Sequence, residues 1–280
     1  MDTGRYINEA ELNDICAYHE INPMFLNYLI KMVNYKIVII GDDSGSMNRL
    51  TNLGDTRWDE LCKFIHTVFS LTKFVENNPI DIYFLNRPSI LNVKRMEDIS
   101  MAFENRPKGY TPIVPVLKNI LNQPLGDYEG RIIIIATDGE PTDEYNKVNI
   151  EQLKNTLTFE RSGADYITFL ACTDDKDCLK YLNKWDKEII NVDVVDDFIS
   201  EREEVLLAQG EDFRFTYADY VVKIVMGCVI HELDILDENL HVKKETPRRS
   251  LKSLKSSSIE KQKVEINDND VHKKRRCIIS

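Results

Sequence analysis

Oxygen-bearing side chains are clustered in three short segments of the sequence, separated by long apolar stretches. In the first segment, Asp42, Ser44 and Ser46 occupy alternate positions, so an extended loop would point all three side chains to one side. The second segment contributes Thr111, which precedes a proline at the expected first turn of a helix. The third contributes Asp138, directly after the most apolar strand pattern of the chain. These five side chains are the candidate ligands of a metal.

Hydroxyl and carboxylate oxygens are the ligands that a hard divalent cation prefers. Mg²⁺ requires a near-octahedral shell at about 2.0–2.1 Å and keeps several of its waters, and Mn²⁺ accepts the same kind of ligand. Neutral hydroxyls do not quench the charge of the ion, so a coordination position can remain open to a carboxylate from another molecule. The five residues therefore predict a Mg²⁺ or Mn²⁺ site at which a protein partner supplies an acidic residue.

The elements that must position these residues alternate between apolar strands and amphipathic helices. Strands are predicted at 36–40, 80–85, 131–136, 166–171 and 189–195, and the last long helix is predicted at 217–232. Apolar strands without alternation are buried on both faces, which requires helices on both sides of a mostly parallel sheet. In such a sheet, ligands bind beyond the carboxyl ends of the strands, where the winding direction reverses. The pattern predicts a doubly wound α/β fold with the metal site at that end.

Three regions follow from the pattern and composition. Residues 1–34 are expected to form a short helical segment, and residues 35–235 the α/β domain. A short edge strand at 90–93, followed by a small helix at 97–103, would give this domain six strands. Residues 236–280 are Lys- and Ser-rich with almost no aromatic side chains, and such a composition buries too little apolar surface to fold. A disordered basic tail is expected there.

The net charge of −11 is divided unevenly along the chain. Residues 241–280 carry 12 Lys or Arg against 5 Asp or Glu, whereas residues 1–240 carry 24 against 42. The acidic body argues against a nucleic-acid ligand, while the basic tail suits an anionic surface. The first residues lack the basic start and apolar stretch of a secretory signal, so secretion is not expected.

Membrane spans and structural cross-links are not expected either. The longest apolar runs, at 132–136 and at 220–230 with Lys223 interrupting, are far shorter than the roughly 20 residues that cross a bilayer. Six cysteines occur without a CxxC pair, so neither a zinc site nor a disulfide framework is indicated.

Asp42-x-Ser44-x-Ser46, Thr111 and Asp138-Gly139 together resemble the metal-ion-dependent adhesion site of von Willebrand factor A domains. The resemblance covers about 200 of the 280 residues. It implies a central sheet with one antiparallel edge strand, direct metal bonds from Ser44, Ser46 and Thr111, and mainly water-mediated roles for Asp42 and Asp138. It also implies a non-enzymatic adhesion or scaffold domain, in which a partner's Glu or Asp completes the metal shell.

Other acidic residues follow the same strand ends. The sequence departs from the integrin β-subunit pattern, because the four residues after Ser46 are not acidic, and an adjacent second metal site is therefore not expected. Asp174 and Asp175 are expected to cap a helix. The remaining acids of the rim are expected to be mainly solvated: Asp43, Asp55, Glu140, Asp143 and Glu144.

The last four residues, Cys277-Ile-Ile-Ser280, form a prenylation box whose terminal serine favours a farnesyl group. One lipid binds a membrane reversibly, and nearby basic residues add about 1 kcal/mol each on an anionic leaflet. The ending resembles the C-termini of small Ras-like GTPases and predicts a cytoplasmic protein held peripherally on a membrane by a lipid anchor. A nuclear address is the alternative interpretation of the basic run, which consists of Lys273, Lys274, Arg275 and Arg276.

Two further functions are compatible with this fold. The domain could be a structural subunit of a larger intracellular assembly. It could also be a Mg²⁺-dependent phosphotransferase or phosphatase with Asp42 or Asp43 as the nucleophile. Haloacid dehalogenase-type phosphotransferases use Asp-x-Asp after the first strand, whereas Ser44 stands two residues after Asp42 here. The sequence therefore favours a non-enzymatic function.

Overall fold

The computed structural model describes residues 5–51, 54–173 and 181–238, and the structural statements below concern these residues. The predicted prenylation site at Cys277, the basic run at 273–276 and the tail beyond Glu238 lie outside them. The expected capping residues Asp174 and Asp175 also lie outside the described residues.

A six-stranded sheet forms the centre of the fold, with the strand order β3-β2-β1-β4-β5-β6. Only the edge pair β2 and β3 is antiparallel, and every other neighbouring pair is parallel. The chain winds outward from β1 in one direction and from β4 in the other, so the winding reverses between these two central strands. The predicted fold class is confirmed, including the antiparallel edge strand. The strands are β1 (Tyr35–Gly41), β2 (Ile80–Phe84), β3 (Ile90–Val93), β4 (Gly130–Thr137), β5 (Asp165–Ala171) and β6 (Val192–Val195).

Helices cover both faces of the sheet because the central strands are apolar on both faces. All eight residues of β4 are buried: Ile132 and Ile134 pack in one core, and Ile133 and Ile135 pack in the other. Removing an isoleucine side chain from water contributes about 1.5–3 kcal/mol. The first core holds α1 (Glu9–Tyr18), α2 (Leu26–Lys31), α3 (Arg57–Thr72), α4 (Met96–Phe103), α8 (Phe198–Gln209), α9 (Tyr217–Met226) and α10 (His231–Asp234), and the second holds α5 (Ile113–Leu121), α6 (Ile150–Phe159) and α7 (Leu182–Glu188).

The N-terminal segment contributes to the same core as the sheet. Asn8 caps α1 by accepting a hydrogen bond from the backbone N–H of Glu11. Phe25 and Leu29 are fully buried against the helices and strands of the first face. The helices expected before residue 35 therefore belong to the core on this face of the sheet.

Two predicted element boundaries are wrong. The last long helix was expected to reach residue 232 but ends at Met226, where Gly227 follows, a residue of low helix propensity. The final strand was expected from residue 189 but begins at Val192, because Asn191 adopts a positive φ of 57° that an extended strand does not allow. Among the described residues, no helix is both long enough and apolar enough to cross a bilayer.

Candidate metal centre

The carboxyl ends of β1 and β4 bring the first and third predicted segments together. Gly41 pairs with Ala136 in the parallel ladder, and the backbone N–H of Asp42 continues it by donating to the Ala136 carbonyl at 2.9 Å. The Thr137 hydroxyl then donates to Asp42 Oδ2 at 2.6 Å. Both side chains are buried. The Asp42 carboxylate is thus held at the point where the winding of the sheet reverses.

A chain of hydrogen bonds runs from Asp42 to Asp138 through the two serines. The backbone N–H of Ser44 donates to Asp42 Oδ1 at 2.8 Å, which tightens the loop after β1. Ser44 Oγ and Ser46 Oγ lie 3.0 Å apart, and Ser46 Oγ donates to Asp138 Oδ1 at 2.7 Å. The structure therefore brings four of the five predicted ligands into one hydrogen-bonded group.

The spacing of these oxygens fits the metal that the sequence predicts. Neighbouring ligands of an octahedral Mg²⁺, each about 2.1 Å from the ion, lie about 3.0 Å apart. The two serine Oγ atoms are separated by the same distance. Both oxygens of Asp42 already accept hydrogen bonds, from Ser44 and Thr137. Each keeps a further lone pair, which suits a carboxylate that contacts the ion through water.

Thr111 is buried in a loop that is joined to both other segments. The Gly109 carbonyl accepts a hydrogen bond from the backbone N–H of Gly45 at 3.2 Å, which links this loop to the serines. Thr142, four residues after Asp138, donates its backbone N–H to the Thr111 carbonyl at 2.9 Å and accepts from the Thr111 N–H at 3.0 Å. The sequence interpretation missed Thr142, because no local pattern indicates a clamp between two loops.

Position 109 requires glycine for two reasons, its backbone conformation and the close approach of Asn86. Its φ is +118°, a conformation that residues with a Cβ rarely adopt. A Cβ at this position would lie 2.3 Å from Asn86 Oδ1. The Asn86 amide meanwhile donates to the Tyr110 carbonyl at 2.8 Å. Glycine thus lets the Thr111 loop pack closely on the turn after β2.

Asp43 is not the solvated rim acid that the sequence suggested. It is 1% exposed and accepts three hydrogen bonds, from the backbone N–H and the amide of Asn86 and from Arg87 Nε at 2.7 Å. Asp43 and Asn86 follow neighbouring strands of the sheet, so the two turns meet at the same edge. Asp43 therefore connects loops and is already fully engaged by its partners.

The other acids of the rim divide into two groups. Asp55, Glu140 and Glu144 are exposed, as predicted. Asp143 is half-buried and accepts from the backbone N–H groups of Tyr145 and Lys147, so it shapes a turn. The Asp143 carboxylate thus has a structural role within its own loop.

Arg57 is a functional candidate that the sequence interpretation missed. It is the first residue of α3, whose N-terminus is closed by a capping box between Thr56 and Asp59. Its guanidinium donates to Asp138 Oδ2 at 2.6 Å and to the Thr173 hydroxyl at 2.8 Å. Arg57 thereby compensates the buried charge of Asp138 and leaves Oδ1 facing Ser46. The capping pattern of the sequence indicates where α3 begins, but it does not indicate what the Arg57 side chain contacts.

Burial at this end of the sheet disfavours the charged forms of its acidic groups. Desolvation raises the pKa of Asp42 to about 7, and the charge of Asp138 adds to the effect, against the hydrogen bonds from Thr137 and Ser44. Desolvation also raises the pKa of the Cys172 thiol, with further contributions from both carboxylates. In the metal-free fold, Asp42 therefore keeps its proton up to about pH 7, whereas the unfolded chain releases it near pH 3.9. The stability of the metal-free fold therefore falls as pH rises from about 4 to about 7, and a bound cation would offset that loss.

Comparison with known proteins adds nothing to this geometry: no protein-family model matches the chain, and no curated protein matches it.

Proposed function

We propose that the chain is a von Willebrand factor A-like domain that binds Mg²⁺ or Mn²⁺ and uses the ion to bind an acidic residue of a protein partner. Ser44, Ser46 and Thr111 would hold the ion directly, and Asp42 and Asp138 would contact it mainly through water. The ion would supply a Lewis-acidic open position for the partner's carboxylate. The function is non-enzymatic.

The observation that carries this proposal is the hydrogen-bonded group of Ser44, Ser46 and Asp138. Two neutral hydroxyls at the spacing of neighbouring octahedral ligands, beside a carboxylate, match a hard cation better than a nucleophile. A nucleophilic Asp42 would have to reach a phosphoryl group, but its side chain is 1% exposed and is held by Ser44 and Thr137. Asp43 is likewise held by Asn86 and Arg87.

Exposed apolar side chains surround these loops and supply a surface for a partner. Tyr110 precedes Thr111, and Leu50 belongs to the loop after the serines. Val148 forms a bridge with Thr142, which clamps the Thr111 loop. All three are more than half exposed, and Tyr145 nearby is 74% exposed. Apolar groups around a polar centre are typical of protein interfaces, so the rim supports a protein ligand.

The tail extends the proposal to a membrane. We infer that Cys277 is prenylated and that Lys273, Lys274, Arg275 and Arg276 bind an anionic leaflet, so that the domain works on the cytosolic face. A single lipid is a marginal anchor, and a polybasic run is the second signal that makes binding stable. The two features stand directly beside each other in the sequence.

Partner capture is expected to depend on both the metal and the serines. Full-length protein immobilised in millimolar Mg²⁺ should retain partners from a eukaryotic cell extract. EDTA or Ser44→Ala should release them, because the open coordination position is lost. The measurement is quantitative mass spectrometry of the retained proteins. Asp42→Ala is a less selective variant, since Asp42 also holds Ser44 and Thr137 in place.

Glu203→Gln is the matched control for this capture, because it removes an exposed acid of α8, a helix that contributes none of the predicted ligands. It should retain the same partners as the wild type. Proteins that remain bound in EDTA and on Ser44→Ala would favour the alternative of a structural subunit in a larger assembly and would remove the metal from the function.

Membrane association is expected to depend on Cys277. In fractionated eukaryotic cells, the wild type should be recovered mainly with membranes, and Cys277→Ser should move to the supernatant because the lipid cannot be attached. Replacing the four basic residues with glutamine should release a smaller share. Recovery of Cys277→Ser with membranes, at the wild-type level, would refute the lipid anchor, and its recovery in nuclei together with the wild type would favour the nuclear address.

A further inference from the structure

A second group of carboxylates lies beside β6, at the edge of the sheet. Asp193 is the second residue of β6, Asp186 belongs to α7, and Asp234 ends α10. One carboxylate oxygen of each lies within 4.8 Å of the others. The three elements therefore bring together three acidic groups that are separated by up to 48 residues in the sequence.

Asp193 is the unusual member of this group. It is 4% exposed, and its Oδ2 atom has no hydrogen-bond partner within the part of the chain that the structure describes. A buried carboxylate without a partner is unfavourable unless an ion or proton compensates it. Asp193 Oδ2 faces Gly227, where a Cβ would approach it to 2.7 Å. The absence of a side chain at Gly227 leaves space for the carboxylate.

A pocket of about 290 Å³ opens onto the same three side chains. It is lined by the end of α7, the start of β6 and the segment from Gly227 to Asp234. Asp186 and Asp234 are half-buried, so the group is reached from solvent through them. The site thus combines one buried and unpartnered carboxylate with two accessible ones.

The bases near the pocket are exposed, as Lys187 and His231 are, or already paired. Lys223, the buried cation beside the group, lies 2.8 Å from Glu201 and 3.7 Å from Asp237, so other carboxylates already surround it. His231 approaches Asp234 at 3.6 Å and is exposed. Desolvation raises the pKa of Asp193 to about 7 although Lys223 acts to lower it. The buried carboxylate therefore needs either a proton or a cation.

We propose that Asp186, Asp193 and Asp234 bind a divalent cation, and that Ca²⁺ fits them best. Ca²⁺ takes 6–8 oxygen ligands at about 2.3–2.6 Å, so ligands on opposite sides of the ion lie about 5 Å apart, which suits three oxygens within 4.8 Å of one another. Flexible geometry also suits ligands from three separate elements. The pocket leaves room for the waters that complete the shell.

Terbium luminescence on the full chain tests this site separately from the first one. The background variant Ser44→Ala/Ser46→Ala removes the direct serine ligands of the candidate metal centre. Trp185, which directly precedes Asp186 and is buried, is placed to transfer excitation energy to Tb³⁺. We expect a saturable signal that Ca²⁺ displaces, and a rise in melting temperature with Ca²⁺. Asp193→Asn should abolish both.

Two further variants serve as the control and as a second test of the ligands. Glu232→Gln is the matched control, because it removes an exposed acid of α10 that is outside the group, and it should leave the signal unchanged. Asp234→Asn, at a half-buried position, tests the ligand set if Asp193→Asn lowers the ellipticity of the protein. A missing Tb³⁺ signal, or one that survives both Asp193→Asn and Asp234→Asn, would overturn the proposal and leave a proton as the occupant.

Discussion

Ser44→Ala/Ser46→Ala is expected to weaken Mn²⁺ binding by more than about 100-fold while the protein stays folded. Residues that only orient a ligand cost 10–100-fold in metal affinity when removed, and the loss of two direct ligands exceeds that range. The fold should persist because the bonds from Asp42 to Thr137 and to the backbone of Ser44 remain. Isothermal titration of the metal-free protein with Mn²⁺ measures the change, and circular dichroism reports the fold.

Ser100→Ala is the matched control for this experiment. Ser100 is exposed on α4, and its hydroxyl bonds to His66 and to the Met96 carbonyl, away from the metal centre. Its removal should leave the Mn²⁺ affinity within about twofold of the wild type, as expected for a surface substitution that touches no ligand. Equal affinities of the double variant and the wild type would show that the serines hold no metal.

Arg57→Met is expected to lower the unfolding free energy of the metal-free protein by about 3 kcal/mol or more. The side chains of Arg57 and Asp138 are 9% and 0% exposed, and removing one partner of such a pair leaves a buried charge uncompensated. Mg²⁺ should recover much of this loss, because a cation at the serines would supply the missing positive charge next to Asp138. Urea denaturation with and without Mg²⁺ measures both effects.

Arg202→Met removes an exposed arginine of α8 and serves as the control, for which a change within about 0.5 kcal/mol is expected. A loss below about 1 kcal/mol for Arg57→Met would mean that the ion pair contributes little to the fold. If Arg57→Met lowers the unfolding free energy by the expected amount and Mg²⁺ does not reduce this loss, the cation does not interact with Asp138. Arg57 would then have no connection with the metal centre.

The sequence predicts the fold well because its information is local. Unbroken apolar runs such as that of β4 require a sheet covered on both faces, and the short edge strand β3 follows β2 after a single turn. The errors lie at element ends and at the start of the predicted tail, because Leu236 is buried in the core. Asn191 sets the start of β6 through its positive φ, and Gly227, a residue of low helix propensity, follows the end of α9. Neither effect is visible in an apolar pattern.

The sequence also predicts which oxygens meet at the carboxyl ends of β1 and β4, since parallel strands that are neighbours end at the same edge. It does not predict their partners. Arg57 reaches Asp138 across 81 positions of the chain, and Asn86 reaches Asp43 across 43. Such pairs depend on how loops pack. An acidic residue at a strand end is therefore predicted to be solvated unless its partner is known. Asp43 is the clearest case.

The second acidic group was invisible for a related reason. In the sequence, Lys223 only interrupts an apolar run, and Asp193 is one of two polar residues in the predicted strand at 189–195. The fold buries both, and it places Glu201 and Asp237 around the lysine while Asp193 stays without a hydrogen bond at Oδ2. Burial of isolated charged residues within apolar segments is thus the signal that points to this part of the protein.

We propose above that three loops hold one cation between their oxygens at the carboxyl ends of the strands. Crystals of the full chain soaked in MnCl₂ test it directly through an anomalous difference map at the manganese edge. We expect a peak in contact with the hydroxyls of Ser44, Ser46 and Thr111, with Asp42 and Asp138 behind bound waters. Side chains that turn away from one another, with no anomalous peak between them, would contradict it.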